Sequence, residues 1–143
     1  MSLHHSERIR VATSGPGLLD ITHQVSQVLD RAGVGLGLVT CYVRHTSASL
    51  TIQENADPDV RTDLEAFLRR LVPEGDPLYR HTDEGPDDMP AHVKAALTAT
   101  SLGIPVEGGE LVLGTWQGIY LWEHRRRDHL REVVVHVSGE PQC

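Results

Sequence analysis

Apolar side chains recur along the chain in two rhythms. From Glu7 to Thr13 they alternate with polar ones, Ile9 and Val11 on one side, which predicts a strand. Ser14-Gly15-Pro16-Gly17 breaks the pattern. From Leu18 to Ala32 the spacing becomes helical, through Leu18, Ile21, Val25, Val28 and Leu29, with Gly33 placed to end the helix. Gly35 to Arg44 and Ala48 to Gln53 are β-rich and are expected to neighbour each other in a sheet. Asp57-Pro58 reads as an N-cap followed by a first helical residue. A buried stripe of Val60, Leu64, Phe67, Leu68 and Leu71 follows, and Pro73 stops it. Pro73 to Met89 is a long polar loop, the kind that is functional or disordered in a compact domain. Pro90 opens a third helix with Val93, Ala96, Leu97 and Thr100 on one face, and Gly103 ends it. The last third reads as strands: Ile104 to Val106, Leu111 to Leu113, Ile119 to His124 and Val133 to Val137.

Helices between early strands and a run of strands at the end favour an α+β fold over a doubly wound one. The 143 residues make one domain, at roughly 100–200 residues per domain. A chain of this size buries roughly 68–70% of its unfolded surface, so one true core is expected. Aromatic residues are few, so that core is aliphatic. Residues 1–7 are expected to be a flexible N-terminus. They carry no apolar signal segment, and Val34 to Val43 is too short and Gly-rich to span a bilayer, so the expected location is the cytoplasm.

Charge narrows the function. Thirteen Lys and Arg stand against 20 Asp and Glu, a net −7, which disfavours nucleic acid as a partner. All but one of the cations, Lys94, are Arg, the residue suited to planar oxyanion contact. The two cysteines, Cys41 and Cys143, form no CxxC pair, and Cys41 lies in an apolar run as a small core residue. Nine histidines are many for this length and point toward chemistry.

Four stretches carry that chemistry. In Arg44-His45-Thr46-Ser47-Ala48-Ser49 an imidazole precedes small hydroxyls between two strand-like runs, suited to metal or proton on one side and an anion on the other. A strand-end His with hydroxyls in turn contacts is the plain alternative. In Gln53 to Asp57, capping accounts for Asp57 and leaves Glu54 and Asn55 as site candidates. The segment from Tyr79 to His92 interleaves His81 and His92 with carboxylates. His81 and Asp83 share a side if that segment is extended. Two or three His with a carboxylate suit zinc or another first-row divalent ion, whereas a mostly carboxylate set suits a harder cation; a solvated acidic loop is the bland reading. In Gly114 to Arg125, glycines flank Trp116 and Gln117, marking close approach to a ligand or another subunit. Glu123 and Arg125 share a strand face, either as a surface pair or as base and phosphate anchor. No Walker A, Rossmann, HExxH or GxSxG motif occurs, which weakens kinase, dehydrogenase, metalloprotease and α/β-hydrolase readings.

These stretches, in order, resemble the YjbQ family of small bacterial and archaeal proteins. The matching runs are His45 to Asn55, Ala56 to Val60, His81-x-Asp83 with Asp87 to Lys94, Leu113 to Arg125, and Ser138-Gly139-Glu140. Ala99 stands where similar chains tend to carry Gly. The resemblance implies a single YjbQ-like domain over residues 1–143, α+β, with a curved mixed sheet and about three helices, assembled as a homotrimer. It implies a divalent-metal site at His45, His81 and His92, with zinc foremost and manganese or magnesium as alternatives. It also implies thiamine-phosphate synthase-like activity, joining hydroxymethylpyrimidine diphosphate to a thiazole phosphate with release of pyrophosphate. On that reading Glu123, His45 and Asp83 are catalytic. Ser47, Ser49, Glu54, Asn55, Thr115, Trp116, Gln117 and Arg125 bind a small phosphorylated substrate, and no nucleic acid or membrane takes part. Metal-assisted hydrolysis and a non-catalytic metal- or metabolite-binding trimer are the competing expectations.

Overall fold

The computed structural model describes residues 1–143. The chain runs β1 (Leu3–Thr13), β2 (Gly17–Asp20), α1 (Thr22–Ala32), β3 (Val34–Val43), β4 (Ala48–Glu54), α2 (Pro58–Leu71), α3 (Asp88–Leu97), β5 (Ser101–Glu107), β6 (Glu110–Leu111), β7 (Gln117–Glu123) and β8 (His129–Pro141). Five strands form one sheet in the order β1-β8-β3-β5-β6, and three form another in the order β2-β7-β4. The fold is a single α+β domain with a curled half-barrel sheet. Every ladder is antiparallel, so the mixed strand directions implied by the resemblance are not present.

The strands of the large sheet alternate inward and outward. On β8 the inward residues are Val133, Val135 and Val137, all fully buried, and on β3 they are Val39, Cys41 and Val43. Helix α1 lays Val25, Val28 and Leu29 onto this layer. Each of these side chains contributes about 1.5–3 kcal/mol by leaving water. Gly33 ends the helix in the left-handed region, φ 68°, with its N–H on the Leu29 carbonyl. Cys41 is the small core residue its setting suggests, and burial pushes its thiol up to about 12.

The structure departs from the sequence pattern at several places. Helix α3 ends at Leu97, and Gly103, expected to end it, pairs with Thr40 inside β5. Leu18 and Leu19 belong to β2, because Gly17–Asp20 pairs with Tyr120–Glu123 and the ladder overrides helical spacing. Residues 3–7, expected to be flexible, pair with Val135 to Gly139 and extend β1. β3 and β4 do not pair; they lie in different sheets, and β4 pairs with β7. On α2, Leu68 is buried but Phe67 and Leu71 are more than half exposed. On α3 the inward residues are Asp88, Pro90, Ala91 and Lys94, while Leu97 faces outward. A small second cluster of Leu68, Val72 and Trp122, with Leu64 and Val93 against it, ties α2 and α3 to β7. No helix is long and apolar enough to cross a membrane.

Candidate metal centre

Helix α3 starts at Asp88, after an N-cap residue, Asp87, whose carboxylate does not cap it. Its Oδ2 accepts from Arg125 Nε and from the Arg126 backbone N–H, both at 3.0 Å. Asp88 therefore sits in the first turn, where the helix dipole favours a negative charge. One turn later His92 lies on the same face, an i,i+4 pair. His81 reaches the same point from the preceding loop. Nε2 of His81 is 2.7 Å from Asp88 Oδ2, and Nε2 of His92 is 3.1 Å from the same oxygen. One donor atom from each of the three residues falls within 4.8 Å of the others.

The tautomer of His92 follows from its other contact. Its Nδ1 is 2.9 Å from the Thr46 carbonyl, which only accepts, so Nδ1 carries the proton. In the neutral ring, Nε2 is then a bare lone pair facing a carboxylate oxygen. Two lone pairs at that separation need a proton, on the ring or on the carboxyl, or a metal cation between them. Imidazoles fixed through the distal nitrogen, with a carboxylate, are the donor set of zinc and other first-row divalent ions. The residues present thus fit the metal that the sequence suggests.

Asp88 is held from behind. Its side chain is 2% exposed, and Oδ1 accepts from Arg125 Nη1 at 2.5 Å. Burial works to raise the Asp88 carboxyl; the His81 hydrogen bond and the charges of His92 and Arg125 outweigh it and leave it below the ordinary carboxylate range. Arg125 gives its remaining nitrogen, Nη2, to the Glu84 carbonyl at 2.9 Å. Arg125 thus holds Asp87, Asp88 and the Glu84 carbonyl with one N–H from each nitrogen, and it also lines a polar hollow with Asp83, Glu84 and Arg127.

The other expected residues divide into three groups. His45 is outside the three-residue cluster: its Nε2 accepts from the Glu132 backbone N–H at 2.8 Å, which occupies the lone pair a metal needs. It lies instead with His92 on the wall of a cavity of about 580 Å³. Burial, then the Arg131 charge, lowers its pKa. Asp83 is exposed and does not join His81, because residues 83 and 84 form a turn and the extended alternation fails. It borders a polar hollow with Glu84, Arg125 and Arg127.

Glu123 is fully buried and carries no free lone pair for base chemistry. Arg131 donates to both its oxygens, at 2.7 and 2.5 Å, Thr13 donates at 2.6 Å, and the N–H groups of His124 and Arg125 donate at 3.0 Å. Burial tends to raise its carboxyl, and these donors reverse the shift to below the ordinary range. Ser47 accepts from Arg131 Nη2 at 3.0 Å, and Ser49 faces His124 and Thr98, so both hydroxyls are committed within the protein.

The third group lies at the other end of the small sheet. The β4–β7 ladder runs from Ala48↔Glu123 to Glu54↔Gln117, about 20 Å at the rise of a strand. Glu54 accepts from the Asp57 N–H at 3.1 Å, and Gln117 accepts from the Gly114 N–H at 2.8 Å. The Asn55 N–H donates to the Trp116 carbonyl at 2.9 Å, while Thr115 is exposed and the Trp116 side chain is 61% exposed. Within one chain these residues do not meet His81 and His92. Sequence reasoning missed Asp88, Arg131 and the Thr46 carbonyl. The Asp88-x-x-x-His92 spacing was the available signal, hidden by assigning Asp88 to the loop.

The fold and site define a small α+β domain that brings two imidazoles and a carboxylate together where a loop enters α3. The chain belongs to the YjbQ family: residues 7–140 match the model of the UPF0047 YjbQ-like proteins. It is 58% identical over 136 residues to UPF0047 protein sll1880 of Synechocystis, covering 95% of this chain and 92% of that one. It is 40% identical over 137 residues to UPF0047 protein YjbQ of Escherichia coli O157:H7, covering 95% and 99%. Among solved structures, a YbjQ-like protein of unknown function from Sulfolobus solfataricus superposes with a TM-score of 0.89 at 26% identity, over 98% of this chain and all of that one. A family member from Clostridium acetobutylicum gives 0.83 at 41% identity, over 92% and 98%.

Proposed function

We propose that the protein is a divalent-metal enzyme acting on a small phosphorylated heterocycle, with thiamine-phosphate synthesis as its specific form. The observation that carries the metal half is the convergence of His81, Asp88 and His92, with His92 locked by Thr46 and Asp88 by Arg125. His81 Nε2, His92 Nε2 and Asp88 Oδ2 would hold the ion. Bound there, it would supply the charge that a departing diphosphate develops against. The protein's own groups orient that ion's ligands, and the low exposure of Asp88 and Arg125 keeps competing water from their charges.

Cavities on either side of the centre leave room for two small molecules. The larger, about 580 Å³, is bounded by His92, His45, Tyr42 and Thr46. The smaller, about 300 Å³, is bounded by His81, Tyr79, Met89 and Pro86. The cyclic substrates themselves rest on the family resemblance. So does the homotrimer, which offers a way to bring the Glu54 and Trp116 end of one subunit to the metal end of another. The test is turnover of hydroxymethylpyrimidine diphosphate with thiazole phosphate by the metal-loaded protein. Thiamine phosphate formation that stops with a chelator and returns with zinc or manganese is the expected result. Metal-loaded protein giving only phosphate or pyrophosphate release, or no product, overturns the reading.

A further inference from the structure

A buried N–H donor is expected to meet an acceptor. Arg131, whose side chain is 3% exposed, fails this at one nitrogen. Its Nε and Nη2 donate to the two oxygens of Glu123, and Nη2 also reaches the Ser47 carbonyl and hydroxyl. Nη1 makes a single polar contact, with His45 Nδ1 at 3.4 Å.

That nitrogen does not accept. The Glu132 backbone N–H donates to His45 Nε2 at 2.8 Å, and a backbone N–H can only donate, so Nε2 holds the ring's lone pair. Burial, then the Arg131 charge, lowers the His45 pKa, so at neutral pH the ring carries one proton, and it sits on Nδ1. The Nδ1–H of His45 and the N–H groups of Arg131 Nη1 therefore meet as donors with no acceptor between them. His45 stands on the wall of the cavity of about 580 Å³ that it shares with His92.

The charge around His45 has the matching sign. The chain carries a net −7, yet no carboxylate lines this cavity. Arg44 does line it, and it shares the carboxylate of Glu132 with Arg8 and Arg10, at 2.7, 3.0 and 4.0 Å. Three guanidinium groups against one carboxylate leave two positive charges in surplus on the Glu132 side of His45, while Arg131 and Glu123 balance each other.

We infer that His45 Nδ1 and Arg131 Nη1, with Arg44 on the same wall as His45, form a subsite for the phosphate group of a small ligand. An oxyanion between the two donors accepts from both and removes the donor–donor contact. The surplus charge matches a phosphate, at about −1.5 to −2 near neutral pH, better than a carboxylate. The choice of a phosphorylated ligand rests on the proposed function; the need for an acceptor between these two donors does not.

Inorganic phosphate is the probe, titrated into the full chain after a chelator has cleared it of metal. Calorimetry reads binding, and proton–nitrogen NMR reads His45 Nδ1. Saturable phosphate binding that shifts the Nδ1 resonance is expected. His45→Leu should weaken it by roughly tenfold or more, the loss of one charge-assisted hydrogen bond. Arg44→Met should weaken it several-fold, and this half-exposed side chain tests the charge without touching the buried network. Thermal melts check that both variants are folded, and acetate should bind more weakly than phosphate. Binding kept by the metal-free protein supports the subsite whatever becomes of the metal centre. Binding that needs metal, leaves Nδ1 unmoved, is unchanged in either folded variant or is matched by acetate overturns it.

Discussion

Asp88 and His92 stand one turn apart on α3, and Nε2 of His92 meets Asp88 Oδ2 at 3.1 Å while its Nδ1 is fixed on the Thr46 carbonyl. That pairing joins the polar loop after α2 to the residues after β3. It makes two stretches that are far apart in sequence into parts of one centre.

Arg125→Met should damage both stability and metal binding. It leaves Asp87 and Asp88 without their buried cation, a loss of about 3–5 kcal/mol for a broken buried pair. It also frees Asp88 to rotate, and losing such a supporting partner typically costs roughly 10–100-fold in metal affinity. Denaturant unfolding and metal titration read the two effects. A variant unchanged in both would show that Arg125 does not position Asp88.

Glu123→Gln separates an anchor from a base. The amide cannot accept all the donors that converge on the carboxylate, and Arg131 is left buried and unpaired, so a loss of about 3 kcal/mol or more is expected. A lower denaturation midpoint is the predicted outcome. A stable variant that has lost only turnover would return Glu123 to the role of base.

Acid should destabilise the fold through His124. Its pKa is lowered from the ordinary 6.5 to about 3 by burial, with the Lys94 charge next. Arg131 also opposes its protonation, and Glu123 favours it. The unfolded chain therefore takes up the proton first. Stability is complete above about pH 6.5 and is lost as pH falls from there toward 3, up to about 5 kcal/mol over the window. Melting temperatures from pH 7 to pH 4 should fall more steeply for the parent than for His124→Asn. Parallel curves would refute this assignment.

Gly37→Ala should weaken the large sheet. Gly37 and Gly139 oppose each other where β3 crosses β8, next to a bulge at Val34/Leu36. A Cβ at Gly37 would run into the Ser138 carbonyl oxygen, and backbone must move to admit it. A cost of about 3 kcal/mol or more is expected, at or beyond the upper end of overpacking penalties. Chemical denaturation checks it, and a neutral result would mean the strands separate more freely than the pairing indicates.

Periodicity in the sequence carried the elements whose stability is local. α2 is capped by Asp57, whose side chain accepts from the Asp59 N–H at 2.9 Å, and Pro58 sits at the first position. Its outer residues, Phe67 and Leu71, fit the same stripe but face outward, since helical spacing does not say which edge of a stripe is covered. Leu18 and Leu19 were misleading because a ladder with β7, nonlocal in sequence, outweighs their helical spacing. In the site, His81 and His92 were legible by type and spacing as residues that come together. Asp83 stood in for Asp88 because one turn of loop decides which acid faces them. The roles of Glu123 and Arg125 were not legible, because their partners, Arg131 and Asp88, are brought to them only by the folded sheet.

The most direct test of the account is elemental analysis of the purified protein beside its His81→Ala, His92→Ala double variant, each offered zinc, manganese and magnesium. The account predicts near-stoichiometric divalent metal in the parent and none in the variant. Metal kept by the variant, or absent from both, would contradict it.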